Sequence, residues 1–180
     1  MDVLTGLYNR RGVDGLLKRE LAAASRRRST LWLALVDIDH FKRVNDCFGH
    51  QIGDCTLRQV AQELRDQARE GDFAARWGGE EFLLVMPSCS DAEGAGVAAE
   101  RMRGAIAARE LALAGATPLA VTISIGVASV PPDGDLDAAL GRVDQALYRA
   151  KSAGRNRVVV ANEATDIGAC SATDVGATAG

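Results

Sequence analysis

The chain has 180 residues, 47% of them apolar and 25% charged, with a net charge of −3. That balance is typical of one soluble domain of ordinary size with a real core. The slight negative charge gives no general attraction to nucleic acid or an anionic membrane, so a polyphosphate ligand must be held by local cations or metal.

No apolar run approaches the roughly 20 residues that span a bilayer. The opening Met1-Asp-Val-Leu-Thr-Gly-Leu7 lacks the basic and apolar parts of a signal peptide. The four cysteines, Cys47, Cys55, Cys89 and Cys170, show no CxxC and no metal-ligand spacing. Reduced thiols in a cytoplasmic protein are the expectation.

The spacing of Val13, Leu16, Leu17 and Leu21 predicts a helix from Asn9 to about Arg26, with a basic C-terminal end. Leu31–Val36 is a continuous apolar run, as in a strand covered on both faces, and it ends in Asp37-Ile-Asp39. A short amphipathic stretch and a loop around Phe48-Gly49-His50 follow. A second helix is expected from about Asp54 to Ala68, with Leu57, Val60, Ala61, Leu64 and Ala68 on one face. A hairpin over Phe73–Met86 stops at Pro87, and a third helix covers about Asp91 to Arg109. Val121–Val127 alternates as a half-buried strand does. A fourth helix runs from Leu136 to about Ala153, with Gly154 placed to cap it, and Arg157–Ala161 is a last short strand. Beyond Asn162 the composition changes to Ala, Thr, Gly, Ser and Asp, and the tail 162–180 is expected to be disordered. This order predicts an α+β domain with helices covering a mixed or antiparallel sheet. Strand order does not follow from it.

Two acidic elements stand out. Trp77-Gly-Gly-Glu-Glu-Phe82 places a glycine pair and two carboxylates between apolar runs, at a hairpin tip. Asp37 and Asp39 end a buried strand. Hard divalent cations favour carboxylate oxygens from a few separated positions and keep sites for substrate phosphates. The bland alternatives are a solvated acidic turn and an aspartate that caps the next helix. Lys42, Lys151 and Arg155 are candidates for phosphates, and Asn45 and Asp54 for the edge of a base.

In sequence order, these strings resemble the GGDEF family of diguanylate cyclases. The matching segments are Asp2–Arg11, Asp37-Ile-Asp-His-Phe-Lys42, Asn45-Asp46, Phe48-Gly-His50, Gly53-Asp54, Gly78-Gly-Glu-Glu-Phe82, Thr122–Val127 and Ala146–Asn156. The signature is the glutamate variant, GGEEF. The resemblance covers about Asp2 to Val160 and implies a GGDEF domain over 1–161, with a βαββαβ core shared with nucleotidyl cyclases and polymerase palms.

It implies that Asp37, the backbone carbonyl of Ile38, and Glu80 bind Mg2+ or Mn2+. Glu81 completes the acidic cluster, and either glutamate is a candidate to accept the 3′-hydroxyl proton. Asn45 and Asp54 read guanine, Gly78 and Gly79 let GTP approach the backbone, and Lys42, Lys151 and Arg155 hold phosphates. Two GTP molecules are condensed to cyclic di-GMP, so the active species is a homodimer. Arg69-Glu-Gly-Asp72 matches the family's RxxD product-inhibition site, with Arg101 as a further contributor; the alternative is a surface ion pair. Members are usually outputs of sensors, so an upstream sensor or dimerising segment absent from this chain is expected. No contact with nucleic acid or membrane is expected. The rival readings are a non-catalytic module that senses GTP or cyclic di-GMP, and a polymerase or adenylyl cyclase palm. Asn45, Asp54 and the glycine pair disfavour the palm.

Overall fold

The structure, a computed structural model, describes residues 1–111 and 119–161. The expected tail, 162–180, lies outside them. In chain order the elements are β1 (Tyr8–Asn9), α1 (Arg10–Arg27), β2 (Leu31–Ile38), α2 (Phe41–Phe48), α3 (His50–Gln67), β3 (Phe73–Arg76), β4 (Glu81–Met86), α4 (Ala92–Ala107), β5 (Glu110–Leu111), β6 (Leu119–Ala120), β7 (Ile123–Val130), α5 (Leu136–Ser152) and β8 (Val158–Val160). Six strands form one sheet in the order β1-β3-β4-β2-β7-β8, and β5 pairs with β6 apart from it. The sheet is mixed. β1 and β8 pair parallel with β3 and β7, and the inner pairings are antiparallel. The succession β2, α2–α3, β3, β4, α4, β7 is the βαββαβ order.

β2 is the middle of this arrangement and is buried at every residue. Side chains of a strand alternate between faces. Trp32, Ala34, Val36 and Ile38 join one core with α2, α3 and α4, while Leu31, Leu33 and Leu35 join a second core with α1 and α5. Two hydrophobic layers on one strand explain the unbroken apolar run. Trp32 is buried in the first core, and Trp77 packs against the second with the Arg10 guanidinium 4.5 Å above its ring.

Local chemistry sets the helix ends. The Asn9 side chain accepts the Gly12 N–H at 2.8 Å and starts α1. Arg28 closes α1 in the left-handed region, at φ 55°. Gly154, at φ 110°, follows the C-terminus of α5, as its position in the sequence predicts.

Several boundaries differ from expectation. The second helix begins at His50, not Asp54, and the amphipathic stretch before it is itself a helix. Gly49, at φ 81°, separates the two with a single residue, so the loop expected there does not exist. β1 is too short to leave a pattern, and β5–β6 flanks residues outside the described set. β7 runs from Ile123 to Val130 and is buried throughout, not half-buried. Its alternation is of size: Ile123, Ile125 and Val127 face the first core, while Ser124, Gly126 and Ala128 face α5. Small residues let helix and sheet approach closely. A Cβ on Gly126 would lie 2.3 Å from both Leu147 N and Val143 O, backbone atoms that cannot yield locally.

Gly126→Ala should therefore lower unfolding free energy by about 1–3 kcal/mol through overpacking. Urea denaturation checks this; an unchanged midpoint would contradict the close packing of α5 on β7.

Candidate active site

Asp37 extends the row Leu31, Leu33, Leu35 on β2, so it emerges on the α5 side of the sheet. The register sets Asp37 opposite Glu81 on β4 and Ser124 on β7. Asp37 lies within the strand and does not cap α2, whose N-cap is His40 with no side-chain bond. Glu80 sits in the β3–β4 turn, its carbonyl accepting the Ile38 N–H at 3.4 Å. From the last turn of α5, Lys151 Nζ reaches Asp37 Oδ2 at 2.7 Å. The structure thus brings Asp37, Glu80, Glu81, Lys151 and Arg155 together from three elements and two turns.

Burial pushes the Asp37 carboxyl above the usual carboxylate range. The bond and charge of Lys151 offset part of that rise, the Asp39 charge adds to it, and Arg155 opposes it. Burial also raises Glu80; the Asp37 charge adds to the rise, Lys151 opposes it, and Glu81 adds again. Two carboxyls pressed upward beside each other form a site poised for a cation.

The turn itself is built by clearance. Trp77 N–H and Gly78 N–H both donate to Glu81 O, at 2.8 and 3.2 Å. Neither Gly78 nor Gly79 has a positive φ, so backbone angles do not demand glycine at either position. Gly78 leaves room for the Glu81 side chain, which folds over it: a Cβ there would lie 2.5 Å from Glu81 Oε2. Above Gly79 the space is open, with nothing within 4 Å of a Cβ. Arg76 clamps the turn by donating to Gly79 O at 2.7 Å, and it also bonds the Asp2 carboxylate. Burial raises Asp2, but bonds from Thr5 and the charge of Arg76 outweigh it and hold the carboxyl below its usual range. The opening motif is thereby tied to the acidic turn.

Asn45 on α2 and Asp54 on α3 stand at the junction of the two helices. Gly53 makes the seat for Asn45: a Cβ there would lie 2.0 Å from Asn45 Oδ1. Lys42 is exposed on the first turn of α2.

The residues of the RxxD motif converge at a separate place. The Asp72 carboxylate accepts from Arg69 N–H at 3.1 Å and from Ser88 Oγ at 2.6 Å. Arg101 reaches from α4 to Gln67 O at 2.6 Å. Arg69 and Asp72 line a cavity of about 440 Å³ with Tyr8 and Phe73. Cys89 lies beneath, its thiol pushed up by burial, then by Asp72 and Asp91, against the charges of Arg69 and Arg101.

Among the described residues no three His, Cys, Asp or Glu side chains converge as a closed metal cage. Two carboxylates beside an open turn do fit magnesium, which usually takes one or two protein carboxylates and keeps positions for substrate phosphates.

Sequence reasoning passed over Arg76, and it grouped Asp39 with Asp37 as one acidic element. Asp39 is bonded by Thr122 Oγ1, Ser124 Oγ and Asn156 N–H and does not join the Asp37–Glu80 cluster. No local spacing reveals such long-range partners.

The family described as diguanylate cyclase, GGDEF domain, matches residues 1–157. The chain is 47% identical to the diguanylate cyclase DgcP of Pseudomonas aeruginosa over 160 residues, 89% of this chain and 24% of DgcP. It superimposes on the GGDEF domain of DgcB from Caulobacter crescentus, solved in complex with c-di-GMP, with a TM-score of 0.84 and 39% identity over 89% of this chain and 95% of that one. The active GGEEF domain of a diguanylate cyclase from Vibrio cholerae gives a TM-score of 0.80 at 34% identity, over 87% and 99% of the two chains. The chain belongs to the GGDEF-domain diguanylate cyclase family. It spans about a quarter to a third of the length of the curated relatives DgcP and DosC. Among the described residues no helix is long and apolar enough to cross a membrane.

The raised carboxyls carry a stability consequence. With its folded pKa above the unfolded value, ionised Glu80 opposes folding. That cost is absent at low pH, where the group is protonated in both states, and grows as pH rises through the raised value. Glu80→Gln should raise the Tm of the metal-free protein at pH 7, by less as pH falls toward 4. A lowered Tm at pH 7 would contradict the electrostatics.

Proposed function

We propose that this chain is a catalytic diguanylate cyclase domain that condenses two GTP molecules into cyclic di-GMP and two pyrophosphates. The observation that carries this is the gathering of Asp37, Glu80 and Glu81 at adjoining strand ends beside Lys151 and Arg155.

Each residue has a task. Asn45 and Asp54 receive guanine, with room for the Asn45 amide left by the missing side chain at Gly53. The open backbone at Gly79 admits the nucleotide, and Lys42, Lys151 and Arg155 hold its phosphates. Lys151 neutralises Asp37 and can turn from it to the phosphates. Glu80 or Glu81 accepts the 3′-hydroxyl proton; a carboxyl raised toward neutrality suits that role for Glu80. Asp37, the Ile38 carbonyl and Glu80 would hold Mg2+ or Mn2+, which would supply charge compensation for the attacking oxygen, the α-phosphate and the leaving group.

Each 3′ oxygen forms a bond to the α-phosphorus of the other GTP as the bond to pyrophosphate breaks. One domain holds one GTP, so two domains must face each other as a symmetric homodimer. An upstream sensor or dimerising segment would control that encounter. GTP and free thiols at Cys47, Cys55 and Cys89 suit the cytoplasm.

Arg69 and Asp72 on the wall of a cavity, with Arg101 bonded to Gln67 O on α3, support binding of the product as inhibitor. Arginine can pair the O6 and N7 face of guanine, and aspartate can accept from its N–H edge.

Incubation with GTP and magnesium, followed by nucleotide chromatography, tests the reading. Glu80→Ala should lose at least about 10²–10³-fold in turnover, the scale of deleting a principal electrostatic or acid–base group. Full activity in that variant would refute the site. Arg69→Ala should keep its initial rate within about twofold and lose inhibition by added cyclic di-GMP, since it lies outside the acidic cluster. Unchanged inhibition would remove the regulatory assignment.

A further inference from the structure

Asp39 shares the acidic strand end with Asp37 but has different partners. Its residue is only 5% exposed, and the Lys151 ammonium goes to Asp37 instead. Ser124 Oγ donates to Oδ1 at 2.7 Å, and Thr122 Oγ1 and the Asn156 N–H donate to Oδ2 at 2.7 and 3.0 Å. The Asp39 N–H donates to Thr122 O at 2.9 Å.

Asn156 ends an unusual turn. Gly154, Arg155 and Asn156 have φ values of 110°, 60° and 45° in succession. Most residues other than glycine and asparagine resist this region, so Arg155 stays there only where its surroundings over-determine the turn. Asn156 has two anchors. Its N–H rests on Asp39, and its Oδ1 accepts from Arg103 Nη1 at 2.5 Å. Arg103 is held in turn by Glu100 on the same helix. Between Lys151 and this anchor the turn carries Arg155, close enough for its charge to act on Asp37.

We propose that Asp39 is a positioning residue for phosphate binding: its carboxylate pins the 154–156 turn, through the Asn156 N–H, so that Arg155 faces the triphosphate. The inference rests on the nucleotide reading above. Asp39 acts through Arg155 and touches neither substrate nor metal. Its shape matters more than its charge. An amide in its place keeps one oxygen for Thr122 and Asn156, and the Ser124 hydroxyl can rotate to accept from the new NH2 group.

The test is equilibrium binding of a non-reacting GTP analogue, with magnesium, to the unaltered chain and to Asp39→Ala, Arg155→Ala, their double variant and Asp39→Asn. Asp39→Ala should weaken binding by about tenfold, the scale of a lost buried hydrogen bond. The double variant should bind no worse than Arg155→Ala, and Asp39→Asn should recover most of the loss. Losses that multiply in the double variant would overturn the proposal, because Asp39 would then act independently of Arg155. So would an Asp39→Asn variant as weak as Asp39→Ala, which would place the role in the charge. Should Asp39→Ala fail to fold, Asp39→Asn decides: near-normal affinity supports the clamp and a tenfold loss overturns it. An unaltered chain that binds no analogue would overturn the nucleotide reading, and this inference with it.

Discussion

The site depends on keeping carboxylates charged at the end of an apolar sheet. Asp37 stands at the end of a strand whose neighbours are all buried, with a side chain 7% exposed, and its own environment drives it toward the neutral acid. A buried charge is tolerated only when it is paired. Lys151 provides the pair, and its position fixes much else. It must come from the last turn of α5, so α5 must lie close on β7. That closeness requires Ser124, Gly126 and Ala128 on the facing surface. The small-residue stripe of β7 and the ion pair at Asp37 are two ends of one requirement.

The same economy shows in the glycines around the site. At Gly53 and Gly78 the missing side chain is the seat of another residue's polar group, the Asn45 amide and the Glu81 carboxylate. At Gly79 it leaves open space. These positions serve clearance, and the left-handed conformations fall instead at Gly49 between two helices and at Gly154 beyond α5. A glycine in a motif can therefore mark two different physical needs. Only the structure separates them.

Much of the site was legible in the sequence because its chemistry is local. Glu80 and Glu81 are adjacent, Asp37 ends an unmistakable apolar run, and Lys151 and Arg155 straddle a helix stop. The parts that were not legible depend on distance along the chain. Asp39 finds partners 83, 85 and 117 positions away, and Arg76 meets Asp2 across 74. Strand order is equally non-local, since β2 lies between β4 and β7, both later in the chain. The two-residue β1 carries no periodicity at all. The misjudged β7 has a more specific cause: serine and glycine at alternate positions look like a solvated face, yet small size suits a helix contact just as well. The lost loop before α3 has the same kind of cause, because one residue at positive φ suffices to turn the chain there.

The gathering of Asp37 and Glu80 beside Lys151 is the central claim, and the raised state of both carboxyls is its most direct consequence. Carboxyl-resolved NMR titration of both groups, without and with magnesium and a non-reacting GTP analogue, tests it directly. The account predicts titration above the usual carboxylate range in the free protein, and a shift of both groups to lower pH when metal and nucleotide are added. Ordinary values in the free protein, or titrations that do not move, would contradict it.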